Sequence, residues 1–304
     1  MPSPAHRSPL PPAAYPATPL RRPRALAPAF SLIELLIVLG IITLLVALSL
    51  PCLSAARRSA RRTRELTTGQ QLLAAYHVYA NDHKSEIMPG YASPAMVSGS
   101  STSLKVFDEK NTPITGVIAR RYPWRIAPYL DFNFAGLYDN AEVLSAYRER
   151  ADFQYVVSLS PSLGLNADFV GGKGEPGFAF NPVALRTWGR WYITRTHEAR
   201  RPADLITFAS ARGRDPFNPT SGTQPGFYLV DAPRFTDARW IAGAFSTDAP
   251  PESFGYVDPR WSGKAVTAHF DGHAALTGFE DLQDMRRWSD RATTQDWSVT
   301  PVIP

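Results

Sequence analysis

Residues 30–53 read FSLIELLIVLGIITLLVALSLPCL, an apolar run broken by a single charge, Glu34. As a helix rising about 1.5 Å per residue, this run would reach roughly 36 Å, enough to cross a hydrocarbon core of about 30 Å with some tilt. Beyond Pro51 the pattern changes. Leu66, Leu73, Tyr76 and Ala80 recur at spacings of seven, three and four, and Leu72 and Tyr79 widen that stripe. Arg64, Thr67 and Gln71 fall on the opposite face, with Val78 as an apolar exception. Asn81, Asp82 and His83, followed by Met88, Pro89 and Gly90, read as a stop. One helix is therefore predicted over residues 30–82, apolar all round in 30–53 and amphipathic in 54–82, with its stripe packed on a sheet.

Residues 83–290 alternate short elements with turns. The Ser-, Gly- and Thr-rich stretch 91–116 reads as a loop. Asp139 and Glu142 open a short helix over 139–149. YVVSLS (155–160), GFAF (177–180), LITFASA (205–211) and GFYLVD (226–231) read as strands. AVTAHF and HAALTG, joined by Asp271-Gly272, predict a hairpin whose two central turn residues both take positive φ. FEDLQDMRRW follows as a helix with Leu282, Met285 and Trp288 on one side. The fold class is thus α+β, a long amino-terminal helix packed on a domain with an antiparallel sheet, ending in a tail over 291–304.

Composition refines this picture. The 304 residues carry a formal charge of +5, but residues 1–29 hold Arg7, Arg21, Arg22 and Arg24 and no acid, which leaves about +1 elsewhere. A global basic footprint for nucleic acid is therefore lacking. Nine of the 28 prolines also fall in residues 1–29, the composition of an extended leader, and its charge favours cytoplasmic retention. Arg57, Arg58, Arg61, Arg62 and Arg64 form a second basic cluster just past the apolar run. Cys52 is the only cysteine, so the domain must be stable without an intrachain disulfide.

A carboxylate in the middle of a membrane helix is disfavoured by roughly 2.5–3.5 kcal/mol, which makes Glu34 a functional candidate. A secretory signal peptide has a shorter apolar region, and Ser49, Leu50 and Pro51 before Cys52 do not form a lipoprotein cleavage box. The stretch Ala29, Phe30, Ser31, Leu32, Ile33, Glu34, Leu35, Leu36 resembles the processing motif of type IV pilins and type II secretion pseudopilins, with Ala29 where that family usually has glycine. The resemblance implies cleavage between Ala29 and Phe30 by a prepilin peptidase, methylation of the new Phe30 amine, a helix bend at Pro51, and a pilin-like fold. It also implies an inner-membrane, single-pass protein with a cytoplasmic amino terminus and a periplasmic domain, assembled with other pilin or pseudopilin subunits among inner-membrane lipids. Within the fibre, Glu34 would pair with a neighbour's Phe30 amine. The carboxy-terminal Asp271-Gly272-His273 resembles part of a pattern found in large prepilin-like proteins: histidine, nine residues, then Asp-Gly. The histidine position is held here by Trp261.

Other chemistry is sparse. His269, Asp271 and His273 would share a face on one straight strand and suggest a metal site; a two-residue turn at Asp271-Gly272 instead sets His269 and His273 on opposite sides. Asp248, Glu252 and Asp258 in the loop 246–259 lack calcium-loop spacing. GGKGEPG (171–177) lacks phosphate-loop spacing and reads as a surface turn, and His197-Glu198 is an isolated acid–base pair. The expectation is a structural subunit without cofactor, metal or catalytic residues. A simple membrane-anchored binding or sensing protein is the alternative, and a tethered hydrolase using His269, Asp271 and His273 a third.

Overall fold

A computed structural model describes residues 31–98, 104–138, 144, 148–175, 177–215 and 222–302. The chain divides into two units, Met1–Ser54 and Ala55–Pro304, and the division falls inside α1 (Leu32–Asp82), a single helix that runs through Pro51. Residues 31–54 are exposed throughout, in keeping with side chains that are apolar on every face and have no core to enter.

In the second unit the same helix becomes one-sided. Leu72, Leu73, Tyr76 and Ala80 are fully buried and Leu66 is half-buried, whereas Arg64, Thr67, Gln71 and Val78 are exposed. The stripe packs on a four-stranded antiparallel sheet of order β3 (Leu163–Leu165), β4 (Ile206–Ser210), β7 (Lys264–His269), β8 (Ala274–Gly278). Two-stranded ribbons flank it, β1 (Val106–Phe107) with β2 (Pro113–Ile114), and β5 (Arg212–Arg214) with β6 (Thr223–Pro225). Short helices α2 (Gly116–Arg120), α3 (Tyr122–Ile126), α4 (Phe153–Leu159) and α5 (Pro182–Trp188) complete the described regular elements beside several 3-10 turns.

Successive strand residues point to opposite faces, and here both faces are covered. Phe208, Val266 and Ala268 join the core beneath α1, where Tyr76 and Tyr122 meet the Phe208 ring edge-on at 5.9 and 5.2 Å. Ala209 and Ala265 face a second core built around Phe169, Trp240, Phe254 and Trp288. Gly69 lets helix and sheet approach closely, since a Cβ there would lie 3.1 Å from the Cβ of Ala268.

Several local expectations are corrected. YVVSLS lies in α4 rather than in a strand. β-branched residues disfavour a helix by only tenths of a kcal/mol, which is outweighed by burying Val156 and Val157 and by placing Ser158 where it accepts a bond from Arg121 at 2.9 Å. GFAF is a turn before α5, and residues 226–231 are irregular, joined to β3 by a parallel bridge of Leu229 to Leu165. FEDLQDMRRW forms two 3-10 turns, Asp281–Gln283 and Met285–Arg287, because Asp284 is extended and its carboxylate accepts from the Arg286 amide at 2.9 Å. Leu282, Met285 and Trp288 are nonetheless all fully buried. The 91–116 loop contains the β1–β2 ribbon and a 3-10 turn at Pro94–Val97. The helix expected over 139–149 lies largely outside the described residues; Leu144 is helical and buried.

Candidate functional site

Ala29 and Phe30 lie outside the described residues. Glu34 stands at the first turn of α1, and Ser31 precedes the helix in the arrangement of a capping box. The Ser31 amide and hydroxyl each donate to Glu34 Oε2 at 2.9 Å, and the Glu34 amide donates to Ser31 Oγ at 3.2 Å. Helix-end amides that would otherwise lack partners are thereby satisfied, and the carboxylate lies where the helix dipole favours negative charge. The signal was present in the sequence as S-x-x-E over residues 31–34.

A second carboxylate of α1 escaped the sequence reading. Glu65 is the first buried residue of the helix. Its Oε1 accepts from Ser210 Oγ at 2.6 Å and its Oε2 from Trp261 Nε1 at 2.8 Å, with Arg260 Nη2 3.5 Å away. Ser210 Oγ also accepts from the Val266 amide at 2.8 Å, so the network ties α1 to β4, to β7 and to the approach to β7. Trp261, which stands where the carboxy-terminal pattern has histidine, thus serves the helix–domain contact. No sequence signal reveals this, because partners 145 and 196 residues away are brought together only by folding.

At the hairpin the expected geometry is overturned. The Gly272 amide bonds to the His269 carbonyl at 2.8 Å and the His269 amide to the His273 carbonyl at 2.9 Å, so the loop has three residues, Phe270–Gly272. Only Gly272 takes positive φ, at 102°; Asp271 does not. The added residue is the glycine bulge of a three-residue hairpin, and it returns His273 to the same side as His269. Their rings stack at 4.3 Å and 6°. His269 Nδ1 lies 3.2 Å from the Asp204 carbonyl and Nε2 3.0 Å from Thr267 Oγ1, while His273 Nδ1 lies 2.6 Å from Asp271 Oδ1. Parallel stacking with each ring engaged elsewhere does not converge two nitrogens on one ion. Burial, followed by the neighbouring His273, lowers the His269 pKa to about 4. The tip also touches α1, where His77 Nε2 lies 2.7 Å from the Phe270 carbonyl.

The glycine-rich segment is more than a surface turn. Gly171 and Gly172 are buried with φ of 76° and 81°, and Lys173 pairs with Asp231 at 2.8 Å in a half-closed charge cluster that includes Asp168 and Arg239 in direct contact. Burial holds Asp168 above the usual carboxylate range, Lys173 opposing and Asp231 reinforcing it. Burial would raise Asp231 too, but Lys173 and then Arg239 outweigh it and hold it low. A recess of about 190 Å³ opens here, with Phe178, Trp191 and Phe235 beside the charges.

The remaining candidates have structural partners. Glu198 accepts from the Thr194 and Arg195 amides at 2.6 and 3.2 Å, capping the 3-10 turn that holds His197. Glu252 pairs with Arg214 and Asp258 with Arg260, leaving Asp248 exposed in that loop. Among the described residues no group of three His, Cys, Asp or Glu side chains is placed to hold a metal ion.

Comparison with protein-family models, curated proteins and solved structures gives no match.

Proposed function

We propose that this chain is a pilin- or pseudopilin-like structural subunit, made as a membrane-anchored precursor and assembled into a fibre. A prepilin peptidase removes residues 1–29, and the mature chain begins at methylated Phe30. Residues 30–53 hold it in the inner membrane with the domain in the periplasm, and other subunits of the same kind are its partners. The observation that carries the reading is a carboxylate, Glu34, four residues after Phe30 in a helix apolar and long enough to cross a membrane. In the fibre this carboxylate pairs with a neighbour's Phe30 amine, which offsets the burial of either charge and sets the axial offset between helices. The continuation of that helix onto an α+β domain supports the same reading.

A second reading, a binding protein that uses the helix only as a tether, is favoured by the Ser31–Glu34 capping box, which gives the carboxylate a partner within its own chain. Two measurements separate them. Mass spectrometry of the membrane-bound protein should find an N-methylated Phe30 terminus; an intact Met1 terminus, or a cut beyond Cys52, removes the subunit reading. Glu34→Leu makes insertion more favourable. A tether tolerates it, whereas a fibre subunit inserts and is cleaved almost normally but is missing from sheared or crosslinked fibres.

A further inference from the structure

The arginines just past the apolar run are arranged more tightly than a solvated helix surface requires. At 100° per residue Arg57, Arg61, Arg58 and Arg62 span an arc of about 140° on one face of α1. Glu65, Leu72, Tyr76 and Tyr79, four of the residues buried against the domain, follow on the same face. All four arginines are exposed, and none makes a hydrogen bond or ion pair to another described residue. No acid occurs from residue 35 to residue 64. Arg57 with Arg61, and Arg58 with Arg62, are like-charged pairs at i, i+4, which destabilise a helix. An isolated helix gains nothing from this arrangement; an anionic surface facing it relieves the repulsion.

Position selects the surface. Arg57 begins four residues after Leu53 closes the apolar run, and Arg62 lies nine after it. At about 1.5 Å per residue these are about 6 and 14 Å along the helix. A polar headgroup layer is about 5–8 Å deep on each side of the hydrocarbon, and ionic attraction reaches about 8 Å farther at physiological salt. Guanidinium is also the side-chain group best matched to phosphate, since it donates two parallel hydrogen bonds.

We propose that Arg57, Arg58, Arg61 and Arg62 form a binding face for the phosphate headgroups of anionic phospholipid at the domain side of the bilayer. This rests on the membrane placement of residues 30–53 and is independent of whether the chain enters a fibre. Binding there would hold the start of the domain-bearing half of α1 at the membrane surface.

The single cysteine supplies a local reporter, since Cys52 is exposed and five residues from Arg57. The full-length chain, labelled with a fluorophore at Cys52, is placed in phosphatidylcholine vesicles containing phosphatidylglycerol. Energy transfer is then read from headgroup-labelled phosphatidylglycerol and, separately, headgroup-labelled phosphatidylcholine. The expected result is local enrichment of phosphatidylglycerol of at least about threefold at low salt, declining toward none at high salt. The Arg57→Gln, Arg58→Gln, Arg61→Gln, Arg62→Gln variant should lose it. A variant with Arg7, Arg21, Arg22 and Arg24 changed to Gln should keep it, since those charges lie at the other end of the run. Enrichment lost with the leader variant, or retained in the four-arginine variant, overturns the assignment, as does equal transfer from both lipids with salt-insensitive binding. Resistance to alkaline extraction is measured on the same vesicles. A chain that washes off refutes the membrane placement itself; a chain that stays without enrichment refutes only the lipid-binding face.

Discussion

Two glutamates of α1 illustrate how differently one helix can be used along its length. Glu34 is exposed and satisfied by Ser31, three residues away, with no hydrogen bond beyond its own turn among the described residues. Glu65 is buried and satisfied by Ser210 and Trp261, with Arg260 close by. The first carboxylate belongs to a stretch in which side-chain hydrogen bonds are all local, as with Thr43 to Leu39 and Ser49 to Leu45. The second opens a stretch that reaches across the chain: Thr68 to the Gly136 carbonyl, Tyr76 to Met88 and His77 to Phe270. The contrast teaches that helical continuity says little about what stabilises a helix. Residues 31–54 are bonded locally, while residues 65–82 are held by the rest of the domain.

The contrast can be broken by mutation, and the largest effect is expected at Glu65. Glu65→Ala orphans the Trp261 indole, takes an acceptor from the Ser210 hydroxyl and leaves Arg260 with Asp258 alone as its carboxylate partner, and should destabilise the Ala55–Pro304 unit by about 3 kcal/mol in thermal or chemical unfolding. Glu65→Gln keeps an acceptor for Trp261 and should lose less. If Glu65→Ala unfolds like the unaltered chain, the domain-side half does not depend on this network.

Next in size is a pH effect at the hairpin that touches α1 through His77. The His269 pKa is lowered from its ordinary value to about 4 in the folded state, so the unfolded chain takes up the proton first as pH falls. The stability contribution of the neutral ring is complete above about pH 6.5 and is lost progressively toward pH 4, amounting to at most about 3 kcal/mol. His269→Gln should flatten that slope in unfolding curves taken between these limits; an unchanged slope would place the titrating group elsewhere.

Gly272→Ala comes third. A Cβ at this position meets nothing within 4 Å, so the penalty is confined to holding φ near 102°. About 1 kcal/mol is expected, read as a lower unfolding midpoint. The smallest effect belongs to the other half of the helix. Ser31→Ala should speed amide exchange in the first turn of α1 while shifting unfolding of the Ala55–Pro304 unit by less than about 0.5 kcal/mol.

What could be read in the sequence follows the range of the interaction concerned. The stripe of Leu66, Leu73, Tyr76 and Ala80 was legible because helical periodicity is local, and the hairpin because Asp-Gly between two apolar runs is a local turn signal. The loop length was not legible. Phe270 belongs to the loop although it is as apolar as its strand neighbours, and that single residue decides whether two histidines face each other or diverge. YVVSLS was misread because its apolar, β-branched run fits a strand equally well, and contacts with Arg121, Trp124 and Tyr138 from other elements settle it as a helix. Glu65 and the Asp168, Lys173, Asp231, Arg239 cluster were invisible for a different reason. Isolated charges in a polar-looking segment look solvated until folding collects their partners.

The bonds between α1 and the rest of its unit also have a mechanical meaning. Glu65, Thr68, Tyr76 and His77 hold the helix to the rest of its unit at successive points along its axis. A load that enters along the helix from its apolar end meets Glu65 first among its buried contacts, and must then slide the helix past the domain rather than peel it away. Bonds loaded side by side in shear share the force, whereas bonds opened one after another do not. The domain is therefore attached as a lap joint, with a charge-assisted fastener placed at the edge where the stress enters.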